Sequence, residues 1–363
     1  MKNKAKLLLL PASFLMLTAC GTSANTSIPR GYTEVDVTDA AAREAFFNKV
    51  AEDVGLTYDK AMEGFKAKGS VSLKEFSYSK SRSYVYPQSP ENNQSMSNSF
   101  KISDAKAEYT VGLIGLKDGV KNAKAMVEIS NLGFKYETTE NGKTHTLKAS
   151  DVDATVYYSD GNVYMDFSDK DLKNFVYDVI DFSYIDSNAS SSQIQRDKDQ
   201  AAKYFGKFVQ KNVVDDVDIS RYLPASLNSE TLRSVASVLN EGFQEVLKND
   251  KVKNLLKLYE DKNSKGVAIG LGLTSDPVEV DGAMVSGDLA ASIAFDKQGI
   301  FKSFGFAGNA NVTMVDNYSD STYQYSKNEQ AKLSKLDFGA EFEYGPKVIK
   351  LPSFSGYKDL PKD

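Results

Sequence analysis

One cysteine and one histidine in 363 residues leave this chain few ways to do side-chain chemistry. Cys20 has no second thiol to pair with, which excludes an internal disulfide and every CxxC-type metal or redox site. A single histidine excludes two-histidine zinc motifs. His145 stands between Thr144 and Thr146 on a β-like run, and no GxSxG nucleophile elbow accompanies it, so it reads as an ordinary exposed strand residue. Acids are plentiful, with 49 Asp plus Glu, but the absence of Trp weakens a sugar-stacking platform for a glycosidase. Asp215-Asp216-Val217-Asp218 is the densest acidic run, and Asp186, Asn188, Ser190 and Asp197 come nearest to a calcium loop. Ser191 stands where that loop needs Gly, so both read as solvated turns. No GxxxxGK[ST] and no GxGxxG after a strand marks a phosphate cradle. No catalytic, cofactor-binding or metal-ligating residue is assigned, and the chain is expected not to be an enzyme.

The legible chemistry lies at the N-terminus. Lys2, Lys4 and Lys6 precede an apolar run from Leu7 to Leu17, broken by Pro11, and then Thr18-Ala19-Cys20. A basic start, a short apolar segment and small residues are the parts of a secretory signal. The run is too short to span a bilayer, which takes about 20 residues. Leu17-Thr18-Ala19-Cys20 looks like a bacterial lipobox. That likeness implies diacylglyceryl transfer to the Cys20 thiol, cleavage just before it, and anchorage by acyl chains on the extracytoplasmic face of the cell membrane. Residues 1–19 are then a signal, and 20–34 hold the lipidated Cys20 and a flexible tether. Residues 35–355 form a single domain, and 356–363 an extended tail. Loss of three lysines with the signal takes the formal net charge from −5 to −8. That acidity argues against nucleic acid and against a basic face for anionic headgroups.

The elements that must carry a binding site follow from periodicity. Asp39 can cap a helix to about Val54, stopped by Gly55, with a shorter helical stretch over Tyr58 to Lys66. Ala105, Ala107, Tyr109, Val111 and Leu113 alternate with polar residues, as do Ala123, Ala125, Val127 and Ile129: half-buried strands. Asn141-Gly142 and Asp160-Gly161 predict type I′ hairpins, pairing Thr138 with His145 and Tyr158 with Val163. Ser77 to Ser99 reads as a loose loop. A helical insert over about 168–260 starts at a Ser168/Asp171 capping box. It continues through Ala201 to Val209 and Leu232 to Leu247, and ends in a short helix over Val252 to Tyr259. Strands resume at Lys265 and end with Leu336, Phe338, Ala340, Phe342 and Tyr344 on one face. The fold class is α+β: a large curved antiparallel sheet of roughly ten strands, a half-open barrel wrapped around the helical insert.

Small residues at Ala268, Gly270, Gly272, Ala290 and Ala294 leave room beside the sheet, and Phe301, Phe304 and Phe306 lie near them in sequence. Together they can line an apolar cavity against the helices, or a packed core in which Gly and Ala let helices approach. The layout resembles the superfamily of lipoprotein carriers that includes the bacterial lipoprotein localisation factors and the mycobacterial lipoglycan-binding lipoproteins. The likeness rests on the lipobox, the N-terminal helix before long strands, and the hairpin Tyr157-Tyr158-Ser159-Asp160-Gly161-Asn162-Val163-Tyr164-Met165. A helical insert and a closing meander ending in Leu351-Pro352 complete it. The resemblance implies a half-barrel holding an acyl chain or other hydrophobic ligand, with no catalytic residues and no cofactor. The alternative is a structural or interaction lipoprotein with a solid core and a protein partner in the envelope.

Overall fold

The structure, a computed structural model, describes residues 32–361 apart from 141, 186, 214–228, 249–255, 261–266, 281, 296–297, 299 and 321. Strand β1 (Thr33–Val35) precedes helix α1 (Ala40–Glu63). Long hairpins follow: β2 (Gly64–Val85), β3 (Gln94–Ile114), β4 (Lys124–Glu140), β5 (Lys143–Ser159), then the shorter β6 (Asn162–Asp166). Next come α2 (Lys170–Ser183), α3 (Ser191–Ala202), β7 (Lys207–Gln210), α4 (Ser229–Leu247) and β8 (Leu256–Glu260). A meander of β9 (Val267–Val280), β10 (Ala283–Phe295), β11 (Phe301–Ser319) and β12 (Gln324–Tyr344) precedes the terminal β13 (Lys358–Asp359). Among the described residues 13 strands, rather than roughly ten, form one sheet in the order β1-β8-β9-β10-β11-β12-β2-β3-β4-β5-β6-β7-β13. Neighbours are antiparallel except β13 on β7, and the sheet is not closed into a barrel.

Local signals act as their chemistry dictates, with instructive departures. Asp39 accepts hydrogen bonds from the Ala41 and Ala42 amides and starts α1. The helix then runs through Gly55, an interior glycine costing only about 1 kcal/mol. It stops at Gly64, whose φ of 143° suits glycine alone. One helix therefore replaces the two expected ones. The cap of α2 is Asp169, which accepts from the Leu172 amide at 2.7 Å, because the Ser168 hydroxyl donates instead to Asp166. Both predicted hairpins are present in register, Thr138 opposite His145 and Tyr158 opposite Val163.

The helical insert is interrupted by two strands. Val209, read as helical, sits in β7 beside Tyr164. Leu256 to Tyr259, read as helix, belong to β8, where Leu258 is fully buried between Val35 and Ile269. Pairing on both sides outweighs a short helical period. Val252 and Leu255 lie outside the described residues. The Ser77 to Ser99 loop shrinks to residues 86–93, because Ser77, Ser79, Ser81 and Ser83 occupy the wet side of a strand whose alternation their polarity disguised.

The long strands change phase part-way along. In β2 the apolar positions are Phe65, Ala67, Val71 and Leu73, then Phe76 and Tyr78. In β12 they are Phe342, Ala340, Phe338 and Leu336, then Leu333 and Ala331. Strand β11 shows that this is still one face. Its even positions Phe304 and Phe306 pair with Ala340 and Phe338, and its even positions Ala310 and Val312 pair with Leu333 and Ala331. At the change of phase sit non-glycine residues with left-handed backbones: Asp104 (φ 51°), Asn131 (φ 54°), Asp151 (φ 51°) and Lys335 (φ 48°). Each is a bulge that reverses the alternation, and they form a staggered line across the sheet. Asp and Asn tolerate this conformation better than most residues. Side chains from adjoining positions secure it: the Asn131 amide donates to Asp153 Oδ1 at 2.8 Å and the Lys335 amide to Asn309 Oδ1 at 2.8 Å.

Both helical layers lie on the apolar face. Phe46, Phe47 and Ala51 of α1 and Ala236 and Phe243 of α4 pack on Leu258 and Val267. At the other end Phe175 and Phe182 of α2 meet Phe134 and Tyr136 edge-on at 5.6 and 5.7 Å. The polar face carries ion pairs such as Glu75 with Lys101 at 2.8 Å, whose hydrogen bond holds the Glu75 carboxyl below its ordinary range. The C-terminal segment crosses this second face. Ile349 is buried over Gly112, where a Cβ would fall 2.3 Å from its Cγ2 atom, and Phe354 stacks on Tyr164 at 3.7 Å. The expected extended tail is thus a strap that ends as β13.

Asp151→Val places a β-branched residue at a left-handed bulge. Urea unfolding should show a loss of about 1–3 kcal/mol, whereas Asp151→Gly should change little.

Candidate functional site

The residues proposed from sequence to line one cavity do not share a surface. In the ladder, Gly270 faces Ala290, Ala268 faces Ser292, Gly272 faces Asp288, and Ala294 faces Ser303. All of these positions lie on the polar side of the sheet. Ala290 is buried there near Ala307, which is 1% exposed and lies opposite Asp337. Burial pushes the carboxyls of Asp288 and Asp337 above their ordinary range. Phe304 and Phe306 lie on the other, apolar side, opposite Ile293 and Ala291. Phe301 joins them: its ring stands 4.9 Å from Phe342 and 6.3 Å from Phe304. Strict alternation on β10 and β11 separates the small residues from the aromatic ones. The Phe residues are core, packed with Ala67, Ala340 and Phe338.

What the structure leaves open is the middle of the apolar face. Val111, Val127, Val156 and Met165 stand in one cross-strand row over β3 to β6. Tyr109, Ile129 and Ala154 form the next row. Val127 remains 45% exposed and Ile129 39% exposed. Three strand spacings make this floor about 14 Å wide. On one side it is bounded by the aromatic cluster under α1, on the other by α2. Tyr109 forms the boundary with the cluster. Its ring lies 5.8 Å from Phe338, and its hydroxyl donates to the Gly339 carbonyl at 2.9 Å. That path needs Gly69 beneath it, because a Cβ there would come 2.5 Å from the Tyr109 ring.

The floor offers contact surface and little reactive chemistry. Tyr158 shares its face, but its hydroxyl donates to the Val120 carbonyl at 2.7 Å, and burial pushes its pKa up. His145 is half-buried on the apolar side opposite Thr138, not exposed as its sequence context suggested. Among the described residues no group of three or more His, Cys, Asp or Glu could hold a metal ion. Two clefts, of about 350 and 360 Å³, lie elsewhere. One is lined by Met62, Glu63, Lys117 and Asp118, the other by Glu34, Asp36, Lys49 and Glu260. Cys20 with the rest of residues 1–31, where the signal and most of the tether are expected, Asp186 and the acidic run at Asp215 to Asp218 lie outside the described residues. No described helix is long and apolar enough to cross a membrane.

Neither a scan of protein-family models nor a search of curated proteins finds a match to this chain. A functional reading therefore rests on the residues themselves and on the resemblance of layout. Sequence reasoning missed the floor by looking for small residues. The usable signal was the run of alternating apolar residues on β3 to β5 with no amphipathic helix assigned to cover them.

If Phe304 is core, Phe304→Ala should cost about 3–5 kcal/mol in urea unfolding. A cost below about 1 kcal/mol would restore it to the lining of an open cavity.

Proposed function

We propose that this chain is a lipoprotein anchored to the extracytoplasmic face of the cell membrane through acyl chains on Cys20. Its apolar sheet face would hold or carry a lipid or other hydrophobic ligand. The supporting observation is the uncovered floor at Val127 and Ile129, in the middle of a face whose two ends are roofed by helices. Leaving aliphatic side chains in water is unfavourable. Covering about 200 Å² of such surface is worth about 5 kcal/mol at roughly 25 cal/mol per Å². The normal twist of a sheet this wide would bend it around such a ligand, giving the half-barrel that the resemblance implies. Tight reactive groups are not required for this task, and the tyrosine hydroxyls on the floor, those of Tyr109 and Tyr158, are both engaged with backbone carbonyls.

A soluble form starting at Ser23 leaves the described fold, which begins at Tyr32, intact. It should take up a fluorescent fatty acid and carry lipid in native mass spectra. Val127→Lys with Ile129→Lys should abolish uptake while changing stability by less than about 1 kcal/mol, since both side chains are exposed. A clean apo mass without uptake would refute the ligand reading and leave the interaction lipoprotein. For the anchor, Cys20→Ala should leave the chain unprocessed or shed, with loss of detergent-phase partitioning. Unchanged membrane retention of that variant would contradict the anchor.

A further inference from the structure

The face behind the floor carries a device that the lipid reading does not use. After β12 the chain leaves the ladder at Gly345, whose amide donates to the Gly64 carbonyl at 2.9 Å, and crosses the polar side of the sheet as the terminal strap. Its anchoring contacts there follow one cross-strand row. That row is Gly112, Met126, Tyr157, Tyr164 and Val209, one residue from each of β3 to β7. Ile349 fills the notch over Gly112, and a Cβ in that notch would also come 3.5 Å from Met126 Cγ. The Phe354 ring lies 5.6 Å from Tyr157 and stacks on Tyr164 at 3.7 Å, and Tyr357 meets Tyr164 edge-on at 5.5 Å. Lys358 and Asp359 then lie opposite Phe208 and Val209.

The floor is the other side of the same backbone. Val111, Val127, Val156 and Met165 each adjoin a residue of that row in the chain, and they pair with one another in the next row. Neighbouring residues in a strand point to opposite faces, so one short stretch of each strand carries a strap contact behind and a floor residue in front. A sheet bends across its strands only if the spacing between side chains changes on both faces. Ile349 over Gly112 and Phe354 against Tyr157 and Tyr164 hold that spacing from behind. The transverse curve at the floor is held with it.

The hold is local and easily undone. Between Pro346 and Asp359 only Ile349 is buried. Among the described residues, the remaining backbone ties to the sheet are the two-residue β13 and the Leu360 amide, which donates to the Val209 carbonyl at 3.0 Å. The ion pair of Lys211 with Asp359, at 2.6 Å, joins two well-exposed side chains and adds little in water. A segment held by so few buried contacts opens at far lower cost than the sheet it lies on.

We infer that the strap is a latch coupled to the ligand floor: seated, it keeps β3 to β6 in the curve that receives a hydrophobic ligand, and lifted, it lets that curve relax and the ligand leave. This coupling rests on the lipid reading of the floor. A floor already shaped for its ligand binds more tightly, because little ordering remains to be done on binding. Linkage then requires the reverse: a ligand that prefers the seated state must hold the strap down. A purely structural tie makes no such demand, since ligand on one face would leave opening on the other face unchanged.

The test uses the soluble form from Ser23 with a fluorescent fatty acid, reading affinity by fluorescence and amide exchange by mass spectrometry. Ligand should slow exchange of strap residues 346–359, none of which lines the floor. Ile349→Ser lifts the strap without touching a strand residue, and Gly112→Val fills its notch. Both should raise strap exchange, speed exchange over residues 124–130 and 154–159, and weaken fatty-acid binding about fivefold or more. Ile349→Val should behave as the parent. Strap exchange that neither Ile349→Ser nor Gly112→Val raises would overturn the latch. If the parent takes up fatty acid and the variants with a lifted strap bind it equally tightly, or if ligand leaves strap exchange unchanged, the coupling is overturned and the lipid reading stands. A parent that takes up no fatty acid overturns both.

Discussion

The structure depends on keeping one side of a very long sheet apolar from end to end. A strand of 21 residues such as β12 cannot stay regular while its sheet twists, and the bulge at Lys335 absorbs the misfit. A bulge in one strand alone would turn the remainder of that strand inside out relative to its neighbours. The left-handed residues at Asp104, Asn131, Asp151 and Lys335 prevent this by reversing the alternation strand by strand along one staggered line. The helices can then pack on a single continuous surface, α1 and α4 at one end and α2 at the other.

That arrangement also explains where the exposed apolar floor lies. Helices roof the two ends, and the rows at Val127 and Ile129 between them keep water contact. The opposite face is closed differently. The terminal strap packs Ile349 into the notch left by Gly112 and lays Phe354 flat on Tyr164. Gly69 and Gly112 thus serve opposite sides of the sheet, the first admitting the Tyr109 ring and the second the strap. An apolar face with a gap and a polar face bound by its own terminus make one side of the molecule available for hydrophobic contact.

The small residues near β9 and β10 carry a different lesson. Nearness in sequence placed Ala290 and Phe304 in one imagined cavity, but pairing in the sheet sets them on opposite sides. On the polar side Asp288 and Asp337 have carboxyls raised by burial, an environment unlike an acyl-chain pocket. Tyr84, Tyr318 and Tyr325 show the converse case. They are far apart in the chain and directly opposite in the ladder.

Local chemistry was legible in the amino-acid sequence by itself. The Asn-Gly and Asp-Gly turns set their hairpins in register, Asp39 capped its helix, and alternating runs announced antiparallel strands, because each signal needs only residues a few positions apart. Only tertiary structure decided the rest. Whether Leu256 to Glu260 formed helix or strand depended on the partners β1 and β9, distant in sequence. Which alternating residues shared a face depended on bulges that a two-residue period cannot reveal within one strand. The uncovered floor and the aligned tyrosines arise from the order of strands across the sheet, and that order is a property of long-range pairing rather than of any segment.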